Sequence, residues 1–146
     1  MRALTICQPY AHLIVIGEKR VENRTWATRY RGPLAIHAGK SLEWMGGEKP
    51  TADMAFGAVV GVADLVACIE LDTYLPMLRD GSEYAWLATH KHANGPFCFV
   101  LNNVRRFAVP VPWKGAQGFW DVPSHALPSN ACLIAQPEKS SQESTD

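Results

Sequence analysis

The sequence predicts a mostly β fold of the α+β class, a small barrel with short helices plugging its openings. Three observations predict it: five to seven short runs of strand-forming residues, turn residues that recur between them, and one clear amphipathic helix after the first strand. At 146 residues the chain fits one domain, and no internal repeat is visible. We assign the domain to residues 1–135 and expect the polar segment 136–146 to be disordered.

The first forty residues predict a strand, a helix and two further extended segments. Leu4–Cys7 alternates in hydropathy and forms the first strand. Pro9 suits the first turn of a helix, and Gly17 suits its end, because glycine adopts the left-handed conformation at little cost. Residues 19–31 contain strand formers and charges in alternation, and residues 34–38 form the next strand.

The longest apolar stretch, residues 55–71, predicts a central strand. Its Val and Ile content favours a strand, and Gly57 and Gly61 suit bends in a coiled barrel strand. A short, weaker helix is predicted over Leu71–Leu78, with Asp72 as its cap.

The remaining elements are shorter and follow turn signals. A helical turn is predicted around Leu42–Met45, within a loop rich in glycine. Residues 97–101 form a strand that ends in a turn at Asn102-Asn103. The two prolines of residues 104–113 indicate an edge strand or an irregular crossover, and residues 118–122 close the domain.

The formal net charge of zero hides an uneven distribution. Residues 1–40 contain seven basic and two acidic residues, whereas residues 41–90 contain two basic and eight acidic residues. Residues 91–135 are again basic, with four basic residues and one acidic residue. A domain with basic ends and an acidic middle can present a confined basic cleft. It is less suited to binding a long nucleic-acid duplex, which favours a broad basic surface.

Composition excludes several classes of protein. The apolar and charged fractions are those of a globular domain. The sequence contains no run of about 18 apolar residues, so no membrane-spanning helix is predicted. The N-terminus lacks the apolar core of a signal peptide, so we expect a cytoplasmic protein with free thiols. The cysteines are far apart and lack histidines at ligand spacing, so neither a metal nor another cofactor is predicted. They are Cys7, Cys68, Cys98 and Cys132.

The densest cluster of polar and aromatic residues lies at residues 19–40. Guanidinium and ammonium groups pair with phosphate, and aromatic rings stack on bases, so this mixture suits a protein that binds single-stranded nucleic acid or a flipped base. The alternative is a solvated strand face on which Glu22 pairs with Arg20 or Arg24. The candidate binding residues are Lys19, Glu22, Asn23, Arg24, Trp26, Arg29, Tyr30, Arg31, His37 and Lys40.

Some of these residues also have structural interpretations. Lys19 is expected to stay charged and to bind an anion, although it also fits an exposed position after a helix. His37 lies in an apolar strand, where a single histidine commonly has a structural role, and His90 and His92 fit an exposed loop. Among the five tryptophans, Trp26 is the best stacking candidate because charges flank it, whereas the others suit core packing or the barrel mouth.

Five segments of the sequence resemble the ASCH domain family. The most specific is a G-x-K-x-x-E-N-R-x-W core that follows a Q-P-Tyr helix start, and the match spans residues 4–122. The segments are LTICQPYA (4–11), GEKRVENRTW (17–26), YRGPLAIHAGK (30–40), GPFCFVL (95–101) and KGAQGFW (114–120).

This resemblance implies a PUA-like β-barrel with a basic cleft between the first helix and the barrel, in which RNA or a modified nucleoside binds. The expected partner is therefore single-stranded RNA or a modified nucleoside; no membrane partner is expected, and the oligomeric state stays open. In this interpretation four cations contact phosphate, Trp26 or Tyr30 stacks, and Glu22 and Asn23 read a base edge. The four cations are Lys19, Arg24, Arg29 and Arg31.

The resemblance also implies an alternative, a hydrolase that acts on acylated cytidine or on single-stranded RNA. One branch of the family hydrolyses acetylated cytidine with a lysine, a threonine and a glutamate in the motif G-x-K-T-x-T-x-R. Aligned on Gly17 and Arg24, its lysine falls on Lys19 and its nucleophilic threonine on Glu22. Lys19 and Glu22 are then the candidate catalytic pair, and Glu70 and Glu83 both remain open as the third residue. A third possibility is a protein-interaction adaptor that has kept the fold.

Overall fold

The computed structural model describes residues 1–129 and the backbone of residues 133–134. Strands dominate this part of the chain, and the helices are short. The strands are β1 (Arg2–Ile6), β2 (Val21–Arg24), β3 (Gly32–Ala38), β4 (Ala58–Glu70), β5 (Phe97–Pro112), β6 (Phe119–Asp121) and β7 (Leu133–Ile134). The helices are α1 (Tyr10–Val15) and α2 (Leu71–Tyr74), with 3₁₀ turns at Glu43–Met45, Leu75–Met77, Ala85–Ala88 and Ser124–Ala126.

The described strands form one curled sheet, a half-barrel in the order β2-β5-β4-β3-β1-β6, with β7 paired to β5. Neighbouring strands are antiparallel except β1 and β3, which are parallel. The prediction of a mostly β fold with a helix after the first strand is therefore confirmed.

The pairing of the long strands β4 and β5 is interrupted by bulges. Their register shifts at three places, one of them between Val59 and Gly61. A Cβ atom on Gly61 would lie 2.5 Å from the carbonyl oxygen of Arg105, so only glycine allows this approach of the two backbones. Gly57 has a φ of +63° just before β4 begins. Both glycines therefore act at bends, as the sequence predicts.

The core lies on both sides of the curled sheet. Ala11, Ile14 and Val15 of α1 are buried, and the helix contacts β3, β4 and β5. A second cluster of buried residues, which includes Val59 and Phe107, is covered by the half-buried tryptophans at 113 and 120. The short helix α1 is thus held by packing rather than by its intrinsic stability.

Several predicted boundaries are wrong. The turn expected at Asn102-Asn103 is absent, because β5 continues through these residues and Asn103 takes a φ of 48° within the strand. Residues 104–112 belong to the same strand and pair with β4. Apart from Arg106 and Phe107, which pair with β7, they have no second neighbouring strand in the described part of the chain, so this stretch is an edge as its prolines predict. Pro110 fits because it lies between the β4-paired residues Arg106 and Val111, where the ladder with β4 is interrupted.

Two further boundaries differ. The extended segment expected at residues 19–31 is a strand only over Val21–Arg24, and its alternation ends there. The helix after β4 begins at Leu71 as predicted, but Glu70 occupies the cap position and no side chain caps it, so Asp72 is not the cap.

The cysteines, the tail, membrane spans and metal sites can be compared with the sequence predictions only within the described residues. Cys7, Cys68 and Cys98 are free thiols, whereas Cys132 and the predicted tail 136–146 lie outside the described residues. Among the helices of the described residues, none has the length and hydropathy to cross a membrane. Within residues 1–129, no three His, Cys, Asp or Glu side chains cluster as metal ligands.

Candidate functional site

A cleft of about 790 Å³ lies between the end of β1, the start of α1 and strand β2. The loop before β5 forms one side of it, and Trp44 contributes from the loop before β4. The lining residues are Thr5, Ile6, Cys7, Tyr10, Lys19, Glu22, Asn23, Arg24, Thr25, Trp26, Trp44, Lys91, His92 and Asn94.

The end of α1 positions Lys19 at the cleft. Gly17 has a φ of +85°, and the backbone N–H groups of Glu18 and Lys19 both donate to the carbonyl of Leu13. This reversal directs the Lys19 side chain inward, where it is only 3% exposed. Its Nζ donates to the Val21 carbonyl at 2.6 Å and to Glu22 Oε1 at 2.8 Å. Lys19 is therefore a buried ion-pair partner and not an exposed lysine after a helix.

Glu22 joins two cations in the cleft. Its Oε1 accepts from Lys19, and its Oε2 accepts from Arg24 Nη2 at 3.0 Å. The same Nη2 donates to the Thr5 carbonyl at 2.9 Å, which links β2 to the end of β1. Because Nη1 and Nε of Arg24 make no hydrogen bond within the described part of the chain, the guanidinium retains donors for a ligand.

Asn23 anchors the loop before β5. Its Nδ2 donates to the carbonyl of His92 at 2.8 Å, and its Oδ1 accepts from the backbone N–H groups of Asn94 and Gly95. The Cys98 thiol also donates to Oδ1, at 3.5 Å. This side chain fixes the wall of the cleft, since most of its hydrogen-bonding capacity is used there.

Two tryptophans and a tyrosine line the cleft. Trp26 is half-buried and packs edge-on against Phe99 and Phe119, with ring centroids 5.1 Å apart in both pairs. Trp44 is 57% exposed, and its ring centroid lies 6.3 Å from that of Tyr10. Trp44 and Tyr10 therefore offer an accessible aromatic surface that the sequence analysis did not assign to binding.

Three of the predicted binding residues, Arg29, Arg31 and Lys40, are exposed side chains outside the cleft lining. Arg31 donates from Nη1 to the carbonyls of Thr28 and Tyr30. Tyr30 is also outside the lining, and its hydroxyl donates to the Pro33 carbonyl.

His37 is buried outside the cleft and connects three elements. Its Nε2 donates to the Trp113 carbonyl at 2.7 Å, so Nδ1 is free to accept from the Thr5 hydroxyl at 3.1 Å. The Trp120 indole donates in turn to Thr5 Oγ1. Burial lowers the pKa of His37, and the charge of Lys40 lowers it further, against the opposing effect of the Trp113 carbonyl. The neutral imidazole thus serves as a structural connector.

Two further cleft residues, Lys91 and His92, were not predicted as binding residues, because they are far from β2 in the chain. Lys91 is exposed and adds a third cation to the cleft. His92 is half-buried, and its Nε2 is a buried atom without a hydrogen-bond partner in the described part of the chain. Burial lowers the pKa of His92, and the cations Lys19 and Lys91 lower it further, against the opposing effect of Glu18.

The cleft lining contains one acidic side chain, Glu22, and the three cations Lys19, Arg24 and Lys91. Glu70 and Glu83, the two alternatives for a third catalytic residue, are exposed and lie outside this lining. A second groove of about 420 Å³ lies elsewhere, between α1, the loop at Asp53 and the part of β5 around Arg106.

Comparisons with known proteins point to one family. The ASCH domain model matches residues 4–110. Activating signal cointegrator 1 from human and from mouse is 28% identical over 142 aligned positions, and the match covers 83% of this chain and 22% of each relative. The chain thus spans about a fifth of the length of these curated relatives.

Solved structures resemble the fold. The ASCH protein of Zymomonas mobilis has a TM-score of 0.50 at 17% identity, covering 86% of this chain and 89% of that one. The structure of one of its mutants has a TM-score of 0.51 at 16% identity, covering 86% and 91%. At these identities the likeness concerns the fold alone.

Proposed function

This chain belongs to the ASCH domain family of RNA-binding, PUA-like domains, and from that premise we propose that its cleft binds one nucleotide of single-stranded RNA or a modified nucleoside. The observation that carries the proposal is the cation pair of Lys19 and Arg24, held on either side of the buried Glu22 carboxylate. Such an arrangement fixes the position of hydrogen-bond donors before a ligand arrives, which reduces the entropy lost on binding.

The donors that remain at the cleft suit an oxygen-rich ligand. Lys19 uses two of its three N–H groups within the protein, and Arg24 uses only Nη2. Lys91 adds an exposed cation on the opposite loop. Phosphate and base carbonyl oxygens accept hydrogen bonds from such groups, and the arginine guanidinium can form bidentate hydrogen bonds with a phosphate.

The size and the aromatic content of the cleft limit the ligand further. A volume of about 790 Å³ is in the range of sites that enclose a drug-sized molecule, which suits one nucleotide rather than a duplex. The exposed ring of Trp44 beside Tyr10 supplies the face on which a base would stack.

We expect Trp44→Ala to weaken binding of a short single-stranded RNA by at least about fivefold, because one stacked base contributes about 1–3 kcal/mol. Fluorescence anisotropy of a labelled hexanucleotide measures the affinity at 50 and 200 mM salt. Binding by the wild type should weaken with salt, since cations replace counterions on the strand. Leu42→Ala is the matched control, because Leu42 is equally exposed on the same loop but lies outside the cleft lining. If both variants bind the RNA as tightly as the wild type, Trp44 does not stack on a base.

A specific contact also favours a second candidate function, hydrolysis of acylated cytidine. Lys19 Nζ and Glu22 Oε1 are 2.8 Å apart in the cleft, so an acid and a base lie side by side where both can reach one small substrate. In this reaction Glu22 accepts a proton from water as the water oxygen bonds to the acyl carbon. The acyl C–N bond then breaks as Lys19 donates a proton to the departing amine, which releases cytidine and the free carboxylic acid. The proton held by Glu22 passes to Lys19 and restores the pair.

Incubation with acetylated cytidine, followed by chromatography, tests this candidate. It predicts cytidine as the product and loss of at least about 100-fold in rate in Glu22→Gln, the effect of removing a general base. The same samples, incubated with single-stranded RNA, test the ribonuclease form, whose activity must persist through purification and disappear in the same variant. Absence of product from both substrates leaves binding as the function of the cleft.

A further inference from the structure

Three aromatic rings form a row that leads from the cleft to the surface. His92 lines the cleft, its ring centroid lies 5.6 Å from that of His90, and the His90 centroid lies 5.5 Å from that of Trp86. Successive rings are tilted by 66° and 82°. The row thus runs from the cleft lining, at His92, to Trp86 two rings away.

An arginine covers the outer end of this row. The Arg20 guanidinium carbon lies 3.8 Å from the centroid of the Trp86 ring, which is the geometry of a close cation–π contact. The Arg20 backbone N–H donates to His90 Nε2 at 3.1 Å, so this nitrogen carries no proton in the pair. We call Arg20, Trp86 and His90 the ledge. None of the three lines the cleft.

The chain segment between the ledge and the cleft is fixed in place. Asn23 holds the carbonyl of His92 and the N–H groups of Asn94 and Gly95. Lys91 lies between the two histidines, is exposed, and adds a cation where the ledge meets the cleft. A cation on each side of a preorganised aromatic row is the combination that binds the backbone and the bases of a single strand.

We propose that the ledge is a second nucleotide subsite, which binds the nucleotide next to the one in the cleft. The inference rests on the proposed function and deepens it, because it makes a strand of RNA the ligand rather than a free nucleoside. Arg20 contacts the phosphate between the two nucleotides or stacks on the second base, and Lys91 contacts the same stretch of backbone.

Affinities for two ligands, measured by calorimetry, test the ledge. The ligands are cytidine monophosphate and a tetranucleotide of cytidine. Wild-type protein should bind the tetranucleotide about tenfold more tightly, as one additional stacked base would give. Arg20→Gln should remove most of that difference and leave the affinity for the mononucleotide unchanged.

Arg2→Gln is the matched control, because Arg2 also lies over aromatic rings, at 5.6 Å from Tyr30, but outside the cleft lining and the ledge. It should leave both affinities unchanged. If the wild type binds the two ligands with equal affinity, the ledge is not a second subsite, while the proposed function of the cleft stands. The subsite is also overturned if Arg20→Gln and Arg2→Gln lose affinity for the tetranucleotide equally. It is likewise overturned if Arg20→Gln loses affinity equally for the tetranucleotide and the mononucleotide. No binding of either ligand overturns the proposed function itself.

Discussion

Replacing Glu22 with alanine should lower the free energy of unfolding by about 3–5 kcal/mol, the cost of leaving a buried charge without its partner. Lys19 is 3% exposed, and once the carboxylate is gone its ammonium group keeps one hydrogen-bond acceptor, the Val21 carbonyl, and the Tyr10 ring 5.4 Å away. Arg24 loses its ion pair at the same time. Chemical denaturation followed by tryptophan fluorescence measures the change.

Two further variants isolate the cause of this destabilisation. Glu18→Ala removes an exposed carboxylate next to Lys19 in sequence and should change stability by less than about 0.5 kcal/mol. The double variant Lys19→Met with Glu22→Leu should recover much of the lost stability, because an apolar pair leaves no buried charge. A Glu22→Ala variant that unfolds within about 1 kcal/mol of the wild type would contradict the description of the pair as buried and coupled.

Replacing Arg24 with glutamine should weaken RNA binding by about 10- to 100-fold, the value of a hydrogen bond from a charged donor. Arg24 is the cleft cation that combines partial exposure with free donors at Nη1 and Nε. The slope of log affinity against log salt should also fall by about 0.7, as expected for one lost phosphate contact on a single strand. Anisotropy titrations at several salt concentrations measure both quantities.

Arg31→Gln provides the comparison for Arg24. Arg31 is exposed, belongs to the same basic segment of the sequence, and donates to backbone carbonyls outside the cleft. Its replacement should leave affinity within about twofold of the wild type, as for a surface position. If both variants lose affinity equally, the RNA contacts a diffuse basic surface and not the cleft. A thermal melt confirms that Arg24→Gln remains folded at the assay temperature.

Local sequence signals predict the inner part of the site well. Gly17 ends α1 as expected, and the reversal of the chain there sets the position of Lys19. Strand alternation places Glu22 and Arg24 together, and of the two partners considered for Glu22 the structure selects Arg24. Both results depend on residues close in sequence, where backbone geometry determines which side chains can meet.

The outer part of the site depends on contacts distant in sequence. Lys91 and His92 reach the cleft through an anchor that Asn23 makes some seventy residues away. Trp44 lies on the predicted turn Glu43–Met45, but no local pattern indicates that this turn meets the cleft. Arg29 and Arg31 belong to the dense basic and aromatic segment 19–40, but they lie outside the cleft lining. Since β2 ends at residue 24, alternation no longer describes where their side chains lie.

Mapping the RNA on isotope-labelled protein by NMR tests the central claim most directly. On titration with a short single-stranded RNA, the largest shift changes should occur at the Trp44 indole, the Arg24 Nε–H and the backbone N–H groups of Lys91 and His92. The second groove, around Asp53 and Arg106, should show none. Shift changes concentrated in that groove, or spread evenly over the exposed cations, would contradict the assignment of the cleft as the site that binds RNA.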